Sequence, residues 1–106
     1  MMDNEGAMNN PDRSPAELEA ISRFAVEHYW NSKITQREEG RHLLLRKREV
    51  ELRISYRFDE WIGRWEYSSA EASRVSGGQS GPRYAIAPDC ILHVVRHPQD
   101  IDKALP

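Results

Sequence analysis

Between Glu49 and Phe58 polar and apolar residues alternate without a break: Glu49, Glu51, Arg53, Ser55 and Arg57 against Val50, Leu52, Ile54, Tyr56 and Phe58. Successive side chains of a β-strand point to opposite faces, so a period of two predicts a strand with one side on a core and the other in water. Residues 61–67 alternate again and predict its hairpin partner. One register sets Phe58 opposite Trp61, Ile54 opposite Trp65, Leu52 opposite Tyr67 and Arg53 opposite Glu66. Shifting it by two residues brings like charges face to face, which is destabilising. This register puts Trp61, Trp65 and Tyr67 in the core, with the arginine and glutamate side wet.

Ahead of this ribbon the period changes. Leu18, Ile21, Phe24, Ala25 and His28 recur at helical spacing, and Ser14-Pro15-Ala16-Glu17 has the capping-box pattern, with proline at a position that suits a first helical turn. The spacing predicts a helix from residue 14 to residues 31–33. Residues 34–40 are polar and leave two readings open, a helix tail or a connection. Leu43, Leu44 and Leu45 predict a strand over residues 42–47, out of phase with the run that starts at Val50, hence a turn or bulge near residues 46–48. Ser68-Ser69-Ala70-Glu71 repeats the capping-box pattern and predicts a short helix stopped by Gly77-Gly78, which opens a surface loop. Residues 84–87 and 90–96 predict two short strands around the turn formers Pro88-Asp89, and Pro98 opens a short terminal helix. Together these elements predict an α+β fold: a small antiparallel sheet of four to five strands with an N-terminal helix packed on one face. They also lead us to expect a single domain over residues 14–106, behind a disordered tail of residues 1–13.

Composition changes little. The 106 residues are 39% hydrophobic and 30% charged, enough for one small core under a heavily solvated surface. A formal net charge of −2 argues against a surface built throughout for nucleic acid or anionic lipid, so such binding would need a local patch. The polar start of the chain has neither the basic nor the apolar region of a secretory signal, and no apolar run is long enough to span a bilayer. With one cysteine, a cytoplasmic protein is expected.

Candidate chemistry is sparse. Cys90, His93 and His97 are zinc-ligand types at C-x2-H-x3-H spacing, but they lack a C-x2-C partner, and on a strand Cys90 and His93 would face apart; no metal or cofactor is assigned. No nucleophile stands in a recognisable motif, and the glycine-rich residues 77–81 lack the lysine of a phosphate-binding loop, so no enzyme is expected. Arg41, Arg46, Lys47 and Arg48 form the basic cluster, which either holds phosphates or is self-paired by the flanking glutamates. Tyr29 and Trp30, at the helix end, cannot both face a core, and an exposed aromatic there would mark a partner surface. Trp30 is read equally as core edge or interface.

The expectation is therefore a small non-enzymatic protein–protein interaction module: an adaptor, a chaperone-like binder or an inhibitor of the immunity type. It would bind a protein partner through Tyr29, Trp30, Arg41, Arg46, Lys47 and Arg48. The alternative is a nucleic-acid-binding regulator using residues 41–48. No membrane is expected as partner, and homodimerisation is open.

Overall fold

The computed structural model describes residues 13–38 and 40–105; the expected tail lies outside them except for Arg13. The elements in chain order are α1 (Ala16–Glu27), β1 (Asn31–Arg37), β2 (Gly40–Lys47), β3 (Val50–Asp59), β4 (Arg64–Ser76), β5 (Gln79–Ser80), β6 (Tyr84–Ala85), α2 (Ile91–Arg96) and α3 (Ile101–Ala104). A 3-10 turn precedes each of the last two helices, Pro88–Cys90 and Pro98–Asp100. The strands pair antiparallel in the order β1-β2-β3-β4-β5, with β6 also on β4, and the sheet curls into a half-barrel against α1. The expected α+β architecture is present.

The core follows from the alternation. Val50, Leu52, Ile54 and Tyr56 of β3 are buried, Leu43 and Leu45 of β2 lie beside them, and Ala70 and Ala72 of β4 complete the rows. Leu18 and Ala25 of α1 close on this surface, and Ile91, Val94, Val95 and Ile101 of the C-terminal helices extend it. The opposite side of β3 departs from the expected wet face. Glu51 is buried because Arg46 and Ser80 both donate to its carboxylate, at 2.9 and 2.8 Å, and Ser55 is buried beside His42 Nδ1 at 2.7 Å. A polar group leaves water at little cost when its bonding capacity is met within the fold.

Helix α1 stops at Glu27, short of the expected end, in a Schellman motif: Trp30 N–H donates to Ala25 C=O and Tyr29 N–H to Val26 C=O. Tyr29 takes the left-handed position there, at φ 68°, where glycine is usual. The capping box does not form. Pro15 is the N-cap, Ser14 Oγ accepts from Arg41 at 3.0 Å, and the Glu17 carboxylate accepts from Tyr56 OH at 2.8 Å. Tertiary partners have taken both side chains. The early stop leaves the polar residues 31–37 to become β1.

Three further corrections concern β4 and the C-terminal segment. The predicted helix after Ser68 is strand: β4 runs 13 residues through it. The hairpin register also differs, with Phe58 opposite Trp65, Arg57 opposite Glu66, Asp59 opposite Arg64 and Arg53 opposite Glu71. Charge complementarity holds in this register too, and the loop of residues 60–63 decides the matter, because Gly63 supplies the positive φ of 68° that closes the turn. Finally, residues 91–96 are helix and not strand; Ile91, Val94 and Val95 sit at helical spacing on the buried side.

A kink divides the sheet. Opposite the step from Ser55 to Tyr56 the pairing skips Ser68, a β-bulge. At the same level Gly40 crosses Tyr56 so closely that a Cβ on it would lie 2.0 Å from the Tyr56 carbonyl oxygen. Beyond this line the ends of β3 and β4 continue as a two-stranded arm, and the molecule is 46 Å long against 26 and 23 Å in its other dimensions.

Candidate interaction surface

The arm ends in an ordered turn. Asp59 Oδ1 accepts from the backbone N–H of Trp61 at 2.9 Å and of Ile62 at 3.3 Å, while Gly63 N–H donates to Asp59 C=O at 2.7 Å. An aspartate side chain that bonds its own turn in this way fixes the loop without help from the core. The turn displays Trp61 at 97% exposure and Ile62 at 53%. Trp61 is therefore at the tip and not in the core, as the other register required.

Below the tip the inner side of the arm is aromatic. Phe58 meets Trp65 edge to face, with ring centroids 5.5 Å apart, and Tyr56 meets Tyr67 in the same way at 5.8 Å. The Arg41 guanidinium lies over Trp65, 5.7 Å from the ring centroid. A cleft of about 600 Å³ opens between Tyr56, Trp65 and Tyr67 and the first turn of α1. A second, of about 590 Å³, runs alongside Phe58, Glu60 and Trp61. Burial, reinforced by the bond to the Glu17 carboxylate, holds the Tyr56 phenol above the ordinary tyrosine range, and burial does the same for Tyr67.

The residues singled out in the sequence are dispersed. Trp30 is 4% exposed and donates Nε1–H to Val95 C=O at 2.9 Å, which ties α1 and β1 to α2. Arg41 is buried on the inner face near Trp65 and Ser14. Arg46 lies on the opposite face of β2, bound to Glu51. Tyr29, Lys47 and Arg48 do come together at the pole away from the arm. Lys47 Nζ donates to His28 C=O at 2.7 Å and sits 5.8 Å from the centroid of the Tyr29 ring, which is 87% exposed, and Arg48 opens the β2–β3 turn at φ 55°. Lys47 thus satisfies a carbonyl at the negative end of α1. The cluster seen in sequence separates because neighbours along a strand point to opposite faces.

Cys90 lies in the 3-10 turn before α2, while His93 Nε2 stands 2.8 Å from Asp100 Oδ2 and its ring 5.0 Å from that of His97. The bond to His93 holds the Asp100 carboxyl below the usual carboxylate range. Among the described residues no group of three or more histidine, cysteine or acidic side chains is placed to hold a metal ion, and no helix is long and apolar enough to cross a membrane. Sequence reasoning missed the Trp61 tip. Its signal was Asp59 four residues before Gly63, a side chain that bonds the turn and a residue that closes it.

No known protein family, curated protein sequence or solved structure matches this chain.

Proposed function

We propose that the protein is a small non-enzymatic interaction module, of the adaptor, chaperone-like or inhibitor type, that grips a protein partner with the tip of the β3–β4 arm. The observation that carries this reading is Trp61, almost wholly in water on a turn already fixed by Asp59. Tryptophan is the residue type most enriched among binding hot spots, and an anchor that is ordered before contact loses little entropy on binding. Ile62 beside it supplies a second apolar contact, and the flanking Asp59–Arg64 and Arg57–Glu66 pairs give the tip a polar rim of mixed sign. That rim argues for a protein surface over an anionic one. The nucleic-acid reading draws no support from a basic cluster divided between two faces of β2 and the turn after it.

The test compares the intact chain with Trp61→Ala in affinity purification from its native cell, followed by titration of the recovered partner. A hot-spot anchor predicts a loss of about 2 kcal/mol or more, roughly 30-fold in Kd, with the fold intact. Equal recovery and equal affinity for the variant would overturn the reading, as would turnover of a small molecule by the unbound protein.

A further inference from the structure

The free edge of β1 offers a second surface, which does not depend on the arm. Among the described residues β1 ends the strand order and pairs on one side only, with β2. The pairing shows which backbone groups remain outside the ladder. The β2–β3 hairpin closes on Lys47 and Val50 around a two-residue turn, so the odd-numbered residues of β2 bond to β3 and the even-numbered ones to β1. Their partners on β1 are Asn31, Lys33, Thr35 and Arg37. Ser32, Ile34 and Gln36 therefore direct N–H and C=O away from the sheet. Among the described residues no backbone hydrogen bond outside the strands engages them.

The charge along this edge has one sign. Lys33 and Arg37 are exposed, lie four residues apart on the same outer face, and have no carboxylate between them; within β1 there is no acidic residue at all. Glu38, the first acid after the strand, falls in the turn, beyond the stretch that can pair. An added strand places side chains directly opposite those of its neighbour at the same period of two, so acids at alternate positions would meet both cations. A lysine on an edge strand also repels a second copy of the same edge, which favours an unlike partner over self-pairing. We infer that the β1 edge accepts an extended acidic peptide segment as an additional strand, with Ser32, Ile34 and Gln36 forming the new ladder and Lys33 and Arg37 selecting the charge.

The experiment titrates the full chain with two eight-residue peptides, one alternating Glu and Val and the other Lys and Val, and reads amide resonances and amide exchange by NMR. The acidic peptide is expected to slow exchange at Ser32, Ile34 and Gln36 and to bind at least tenfold more tightly than the basic one. Lys33→Glu with Arg37→Glu should invert that order, and N-methylation of alternate peptide amides should abolish binding. Trp61→Ala should leave all of this unchanged, so failure of the arm reading and failure of this one are separable. Absence of protection at the three amides, equal affinity for the two peptides, or an order unmoved by charge reversal would each overturn the inference.

Discussion

Trp30 and Trp61 are the same side chain put to opposite uses. Trp30 follows α1 directly, where the left-handed Tyr29 turns the chain so that the indole swings under the sheet and its N–H finds the Val95 carbonyl. Its large apolar surface and its one polar atom are both satisfied inside the fold, as a buried tryptophan requires. Trp61 gives the fold almost nothing: its backbone is held by Asp59, and its ring meets water. The helix-covered body thus draws its stability from side-chain burial, whereas the arm draws its order from cross-strand pairs and one turn. An aromatic that contributes to neither burial nor turn geometry is available for recognition.

Substitutions can break that division, and the largest effect should fall on the body. Trp30→Ala removes a fully packed indole and strands the Val95 carbonyl; a loss of about 3–5 kcal/mol is expected in denaturant unfolding. Next comes the line between body and arm. Gly40→Ala cannot be accommodated against the backbone of Tyr56, and a loss of about 2–4 kcal/mol should appear in the same measurement. A loss as small as that of an exposed substitution would show that the arm is not anchored there.

A smaller effect is expected at Tyr56, whose hydroxyl links the base of the arm to Glu17 of α1. Tyr56→Phe should cost about 1 kcal/mol at neutral pH. Because the folded phenol holds its proton more tightly than the unfolded one, this contribution is complete below the ordinary tyrosine value of about 10 and is lost as pH rises above it. Wild-type melting temperatures should therefore fall in that alkaline range, and those of the phenylalanine variant should fall less. The least effect belongs to Trp61→Ala, which should move unfolding stability by no more than about 0.5 kcal/mol, whatever it does to binding. A larger shift would mean that the tip supports the fold, and the contrast between the two tryptophans would collapse.

The body was far more legible in the sequence than the arm. β3 and the middle of α1 could be read because their buried residues keep a single period along the whole element, and burial is what periodicity records. β4 could not, because the bulge at Ser68 changes its parity: Trp65 and Tyr67 are inward at odd positions, Ala70 and Ala72 at even ones. Broken alternation followed by Ser-Ser-Ala-Glu imitates a helix start, and only the pairing with β3 makes it a strand. The C-terminal segment misled in the converse way, since Ile91, Val94 and Val95 fit a short buried strand as well as one side of a helix. The end of α1 was hidden by Tyr29, which occupies a left-handed site normally marked by glycine. The proposed interaction surface was the least legible part. Alternation scores an exposed tryptophan beside Phe58 as core, and a run of cations reads as a cluster although β2 and its turn send them to separate places.

The skipped residue at Ser68 has a consequence for how this chain can vary by gain or loss of single codons. Removal of that serine would leave the ladder regular and every inward residue inward: with one position fewer, Trp65 and Tyr67 fall into the same alternation as Ala70 and Ala72, and what would be lost is the kink. The bend between body and arm thus hangs on one residue that could be lost without sending any side chain to the other face, whereas the turn of residues 60–63, with no ladder partner of its own, is where the chain can lengthen without disturbing the strands behind it.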